Sequence, residues 1–261
     1  MKNKFKFKFS YIYITLFCLF LFIYMFINYN KKEDFTNNHN DIYFLTKEET
    51  QEFILKDDDN YIKNMSIYDL RARKVNSSNE YITSIIKEGC LDFNEEQKEK
   101  LKKSSIEAKE FFNNNKNWIF ACVNNTYEEG YPHTRANIIF ISPIIINYNH
   151  TELTKILIHE SIHIYQRYNP EIVHNYLNEN GFSIYKKKDK NSLIRSNPDL
   201  NEFIYKDKNG SEMVAYYKNE YPTNINDIVL TNSANEHPYE KMAYEIGNLY
   251  TQQLLAKYRS I

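Results

Sequence analysis

The sequence predicts an α+β domain behind an N-terminal membrane span, and three observations predict it. Residues 118–123 and 136–142 are compact runs of β-branched and aromatic residues, the composition of strands in a small sheet. Two later segments, one around 153–164 and one from about 238 to 257, repeat apolar residues at helical spacing. Residues 11–27 are apolar throughout except for Thr15.

Taken in order, the apolar run comes first. At 1.5 Å per residue it covers most of a hydrocarbon core of roughly 30 Å, with Phe9 and Tyr29 placed at headgroup level. Lys2, Lys4, Lys6 and Lys8 precede it without an acid, so the N-terminus is expected to stay in the cytosol. A cleaved signal peptide competes with this reading, but no Ala-x-Ala pattern follows and the run is longer than an ordinary signal core. Residues 1–30 are therefore expected to be a cytosolic tail and an uncleaved anchor crossing the bilayer at 11–27, followed by an Asn-rich polar tether at 31–41 and one globular domain at 42–261 that is extracellular or lumenal.

Within that domain a helix is expected at Thr46 to Leu55, and an amphipathic helix where Lys98–Lys103 alternate with Glu95, Glu96, Glu99 and Glu107. The two β-prone runs, with turn residues Tyr127 to Pro132 between them, suggest an antiparallel pair. Asp207-Lys208-Asn209-Gly210 is a hairpin signal inside residues 203–217. Cys90 and Cys122 are the two cysteines outside the span, and either one disulfide or two buried thiols would suit them. A net charge of −1 argues against a nucleic-acid footprint.

The most informative run is His159-Glu160-Ser161-Ile162-His163, an H-E-x-x-H motif within an expected helix. Asn149 or Thr151 can cap that helix and Asn169-Pro170 stops it, while Leu153, Ile156, Leu157 and Ile164 supply its apolar positions. Imidazoles four residues apart on a helix lie about 40° apart around the axis and about 6 Å along it, so both can reach one ion. Neutral imidazole nitrogen suits Zn²⁺, and Glu160 is placed to accept a proton from water activated there.

A catalytic zinc takes three protein ligands. An extended motif with a Gly at 166 and a His at 169 is excluded, because those positions are Gln166 and Asn169. Downstream, Pro238 suits the first turn of a helix whose stripe is Met242, Ala243, Ile246, Leu249 and Leu254, and Glu240 falls in that first turn. Glu240 is the preferred third ligand. His237, Glu245 and Glu212 stay open as rivals, although Glu212 is expected on the hairpin.

His159-Glu160-x-x-His163 followed by Glu240-x-x-Ala243 resembles the zincin metallopeptidases whose third ligand is glutamate, the gluzincin-type arrangement. The resemblance covers about the C-terminal half of the chain. It implies a zincin-like fold, a small mixed or antiparallel sheet with the zinc-motif helix and a C-terminal helix. It also implies zinc held by His159, His163 and Glu240, with Glu160 as the base in hydrolysis of a peptide or protein substrate. In such enzymes a strand upstream of the zinc helix holds extended substrate at the sheet edge, and 136–142 is the candidate here, unless it is a core strand. His133 and Arg135 could serve an oxyanion or a substrate carboxylate, and Tyr239 and Tyr244 flank the proposed ligand. The alternative is a membrane-anchored binding or envelope protein that keeps such a fold and a metal without catalysis.

Overall fold

The computed structural model describes residues 42–231 and 234–259. The anchor at 11–27 and the tether at 31–41 lie outside the described residues; among the described residues no helix is long and apolar enough to cross a membrane. Strand β1 (Ile42–Phe44) leads into helix α1 (Lys47–Lys56). A capping box fixes the start of α1: the Glu49 amide donates to Thr46, and the Thr46 amide donates back to the Glu49 carboxylate. Helices α2 (Ile67–Ala72) and α3 (Ser78–Ser84) follow, each with a serine N-cap, and α3 runs into a π turn at Ile85–Gly89. Strand β2 (Cys90–Leu91) precedes α4 (Glu95–Phe111), the expected amphipathic helix.

Next come β3 (Trp118–Val123), β4 (His133–Arg135) and β5 (Ile138–Ile141). Side chains alternate across a strand, and here both faces are apolar. Trp118, Phe120, Cys122, Ile139 and Ile141 face one core, whereas Ala121, Val123, Ile138 and Phe140 face another. A sheet buried on both sides reads as an unbroken hydrophobic run, and parallel pairing suits it. The sheet order is β1-β3-β5-β4, with β1, β3 and β5 parallel, β4 antiparallel to β5, and β2 antiparallel to β3.

The expected antiparallel pairing of 118–123 with 136–142 is thus corrected to parallel. Residues 127–132 do not connect the two strands directly. The chain passes a 3₁₀ turn at Glu128–Gly130, forms β4, and only then turns back through Ala136, at φ 50°, into β5. The hairpin is β4–β5, and β5 lies inside the sheet between β3 and β4.

Helix α5 (Pro143–Ile146) is one turn, and α6 (His150–Tyr168) carries the H-E-x-x-H run. Asn149 caps α6 through the Glu152 amide at 3.0 Å. Helix α7 (Pro170–Glu179) starts directly after Asn169. Residues 183–230 then form two small antiparallel units: β6 (Ser183–Lys187), β7 (Phe203–Lys206) and β8 (Glu212–Met213), and a pair of β9 (Ala215–Tyr217) with β10 (Ile228–Leu230). The turn at 207–211 joins β7 to β8, as the hairpin signal implied. The last helix, α8 (Pro238–Arg259), packs on α6, with Met242 and Ala243 in the shared core, and reaches α4 through Tyr250, whose ring meets Phe111 and whose hydroxyl donates to Glu107. The architecture is α+β with small sheets: α4, α6 and α8 cover one face of the main sheet, and α1 to α3 cover the other.

Cys90 and Cys122 are both free and buried. Burial pushes the Cys90 thiol up to about 11 and the Cys122 thiol up to about 12, so neither is a nucleophile at neutral pH.

Candidate metal centre

Helical spacing brings His159 and His163 together on the α6 face turned toward α8, with their Nε2 atoms 3.0 Å apart. From α8, Glu240 Oε2 lies 3.3 Å from His159 Nε2 and 3.7 Å from His163 Nε2. Among the described residues these three form a cluster that could hold a metal ion. Three tetrahedral donors about 2.0–2.1 Å from one ion are separated by about 3.3–3.4 Å. The observed triangle, with edges of 3.0, 3.3 and 3.7 Å, brackets that value.

The groups behind the donors orient them. Gln166, one turn after His163, accepts from His163 Nδ1 at 3.0 Å, which leaves the Nε2 lone pair directed at the triangle. The same amide donates to the Tyr239 carbonyl at 3.0 Å and so ties α6 to the first turn of α8. Glu240 Oε1 accepts from Asn197 Nδ2 at 3.1 Å, leaving Oε2 for the imidazoles. The ring of Tyr244, one turn after Glu240, lies 4.7 Å from that of His159.

Glu160 is buried beside this triangle, and its Oε2 has no hydrogen-bond partner. A buried polar atom without a partner costs about 1–3 kcal/mol, so such an atom at a cleft points to use by a ligand or by chemistry. Burial above all, then the negative charge of Asp199, push the Glu160 carboxyl well above the usual glutamate range, against the pull of His163. For His163, burial opposes protonation, but the charges of Asp199 and Glu240 prevail and raise it to about 10. Burial also opposes ionisation of Glu240, yet the charge of His163 and hydrogen bonds from both imidazoles hold it well below the usual range. Excess negative charge around two imidazoles is a setting that favours a cation.

A cleft of about 470 Å³ opens onto the centre. His159, Glu160 and Glu240 line it, as does Tyr244, which is half exposed. Ile145, Ile156 and Ala243 form an apolar part of its wall.

The other sequence candidates fall elsewhere. His237 is fully buried and holds the start of α8: its Nδ1 accepts from the Tyr239 amide and its Nε2 donates to Asn201. Glu245 pairs with Lys241 and accepts from Tyr176, and Glu212 lies on β8. Tyr239 hydroxyl accepts from Asn201. His133 donates from Nδ1 to the Tyr131 carbonyl and stacks on Phe140, inside the protein. Arg135 is completely buried, bound to Asp57, Asp59 and Tyr127, with Phe53 and Tyr61 beside its guanidinium. Neither His133 nor Arg135 reaches the cleft.

The expected substrate-binding edge strand is also displaced. Residues 138–141 are interior, and the edge is β4, which carries the buried Thr134. There the Thr134 amide donates to Asp199 at 2.7 Å, and its carbonyl accepts from Arg167 at 3.3 Å. Sequence reasoning missed Asn197, Asp199 and the role of Gln166. The position of Gln166 three residues after His163 was a readable signal, whereas nothing in residues 197–199 marks them. Comparisons with protein-family models, curated proteins and solved structures find no match to this chain.

Proposed function

We propose that this chain is a zinc-dependent peptidase of zincin type, with His159, His163 and Glu240 as metal ligands and Glu160 as general base. The observation that carries the reading is the donor triangle with the unpartnered Glu160 oxygen beside it in one cleft. The donor set of two imidazoles and a carboxylate is a catalytic zinc set, and its edges fit that ion. When bound, zinc supplies a Lewis acid that lowers the pKa of water toward neutrality and polarises a carbonyl.

The chain's own residues do the rest. Glu160 takes up the proton of the attacking water at its free Oε2 and passes it to the departing amine. Tyr244 offers a hydroxyl at the cleft wall to the charge that develops on the carbonyl oxygen. Gln166 keeps the His163 ring in place. The apolar run at 11–27 supports anchoring in a membrane, with the peptidase on the non-cytosolic side.

The test is metal analysis of the purified full-length chain, followed by incubation with a diverse peptide library with and without chelator. Stoichiometric zinc with chelator-sensitive cleavage is expected. Stoichiometric zinc without any cleavage would favour a binding protein that keeps the metal, and absence of metal uptake would overturn both readings.

A further inference from the structure

Residues 195–199 have no regular structure, yet each is tied by hydrogen bonds or ion pairs to the centre's surroundings. Arg195 pairs with Glu236 at 2.5 Å. Ser196 donates from its amide and hydroxyl to Asp69, both at 2.8 Å. Asn197 Nδ2 donates to Glu236 Oε1 at 2.9 Å and to Glu240 Oε1 at 3.1 Å. The Pro198 carbonyl accepts from Arg167 on α6 at 3.3 Å, and Asp199 accepts from the Thr134 amide and hydroxyl on β4. The segment is a strap running from α2 to the edge of the main sheet, passing over the first turn of α8.

Two consequences follow from these bonds. The outward N–H and C=O of Thr134 are both engaged, so an extended peptide finds no free partners at that residue of the β4 edge. The orientation of the Asn197 amide is also fixed. Its Oδ1 accepts from the Asp199 amide at 2.9 Å, so Nδ2 must be the end that faces the two glutamates. A carboxylate can rotate to offer either oxygen or both, and a donor on Oε1 leaves Oε2 to meet His159 and His163.

We propose that the strap is the positioning element of the metal centre, with Asn197 as the positioning residue that turns the Glu240 carboxylate toward the two imidazoles. This rests on the metal-site reading given above. Partners one step behind the ligands are worth about 10–100-fold in metal affinity where they fix a ligand's orientation. The strap is anchored at Asp69 and Thr134, away from the ligands, so the orientation is preset by the fold rather than created by the ion.

The experiment compares the full-length chain with Asn197→Ala and Asn197→Leu, the second keeping side-chain bulk without a donor. Zinc affinity is measured by competition with a chromophoric chelator, and the visible absorption of the cobalt-substituted protein reports ligand geometry. Both variants are expected to bind zinc about 10–100-fold more weakly and to give an altered cobalt spectrum. If either folded variant binds zinc as tightly as the parent with an unchanged cobalt spectrum, the proposal is overturned while the metal site stands. If the parent chain takes up neither metal, the underlying reading fails and the positioning role with it.

Discussion

Glu160 and His163 belong to the same helix, yet their substitutions should separate cleanly. Glu160→Gln keeps shape and leaves the donor triangle untouched, so zinc content should stay at the parent level while hydrolysis falls by several orders of magnitude. His163→Ala removes one corner of the triangle and the anchor to Gln166, so zinc content itself should drop. Metal analysis beside a peptide-cleavage assay reads both; full proteolysis by Glu160→Gln would remove the base from the mechanism. Tyr244→Phe deletes only a hydroxyl at the cleft wall. It should lower kcat by about 100-fold with little change in KM, and a pure KM effect would mean that Tyr244 only binds substrate.

At the scale of elements, the structure moves Arg135 from a candidate substrate contact to the clamp between β4 and the loop after α1. Its guanidinium is fully buried against Asp57 and Asp59, and removing one partner strands the charge of the other. Arg135→Ala should therefore destabilise the fold by about 3–5 kcal/mol in denaturant unfolding, while kcat of the folded fraction is unchanged. A catalytic role would give the opposite pattern. The contrast shows what could be read beforehand. Helix limits were legible because Thr46, Asn149 and Pro238 announce them locally, and the H-E-x-x-H spacing brings two imidazoles together by helix geometry alone. The place of Glu240 beside the two imidazoles was legible through the first turn of α8, with rivals that only tertiary structure could set apart: His237 is consumed in fixing that helix start. Strand direction was not legible, since an apolar run buried on both faces carries no mark of its neighbour's polarity, and β1, only three residues long, gave no signal. The strap escaped because its bonds join residues far apart in sequence.

At the scale of the whole molecule, the centre links folding, metal and pH. Its three donor side chains come from α6 and α8 and converge only in the folded chain, so zinc held there should bind the folded state and stabilise it, by about 2.7 kcal/mol when free zinc is 100 times Kd. The proton on His163 competes with that ion. Held at about 10 in the metal-free protein, against about 6.5 in an unfolded chain, this imidazole contributes stability that is complete below about pH 6.5 and is lost as pH rises through about 10. Zinc must displace this proton, so its apparent affinity rises with pH over the same window, by about tenfold per unit where one proton is released. Both effects come from the same proton, so the gap in Tm between zinc-loaded and chelated protein is set by the apparent affinity alone and should widen from about pH 6 to about pH 8.5. Calorimetric scans of both forms across that range check it, and a gap that stays constant or narrows would place the ion away from His163.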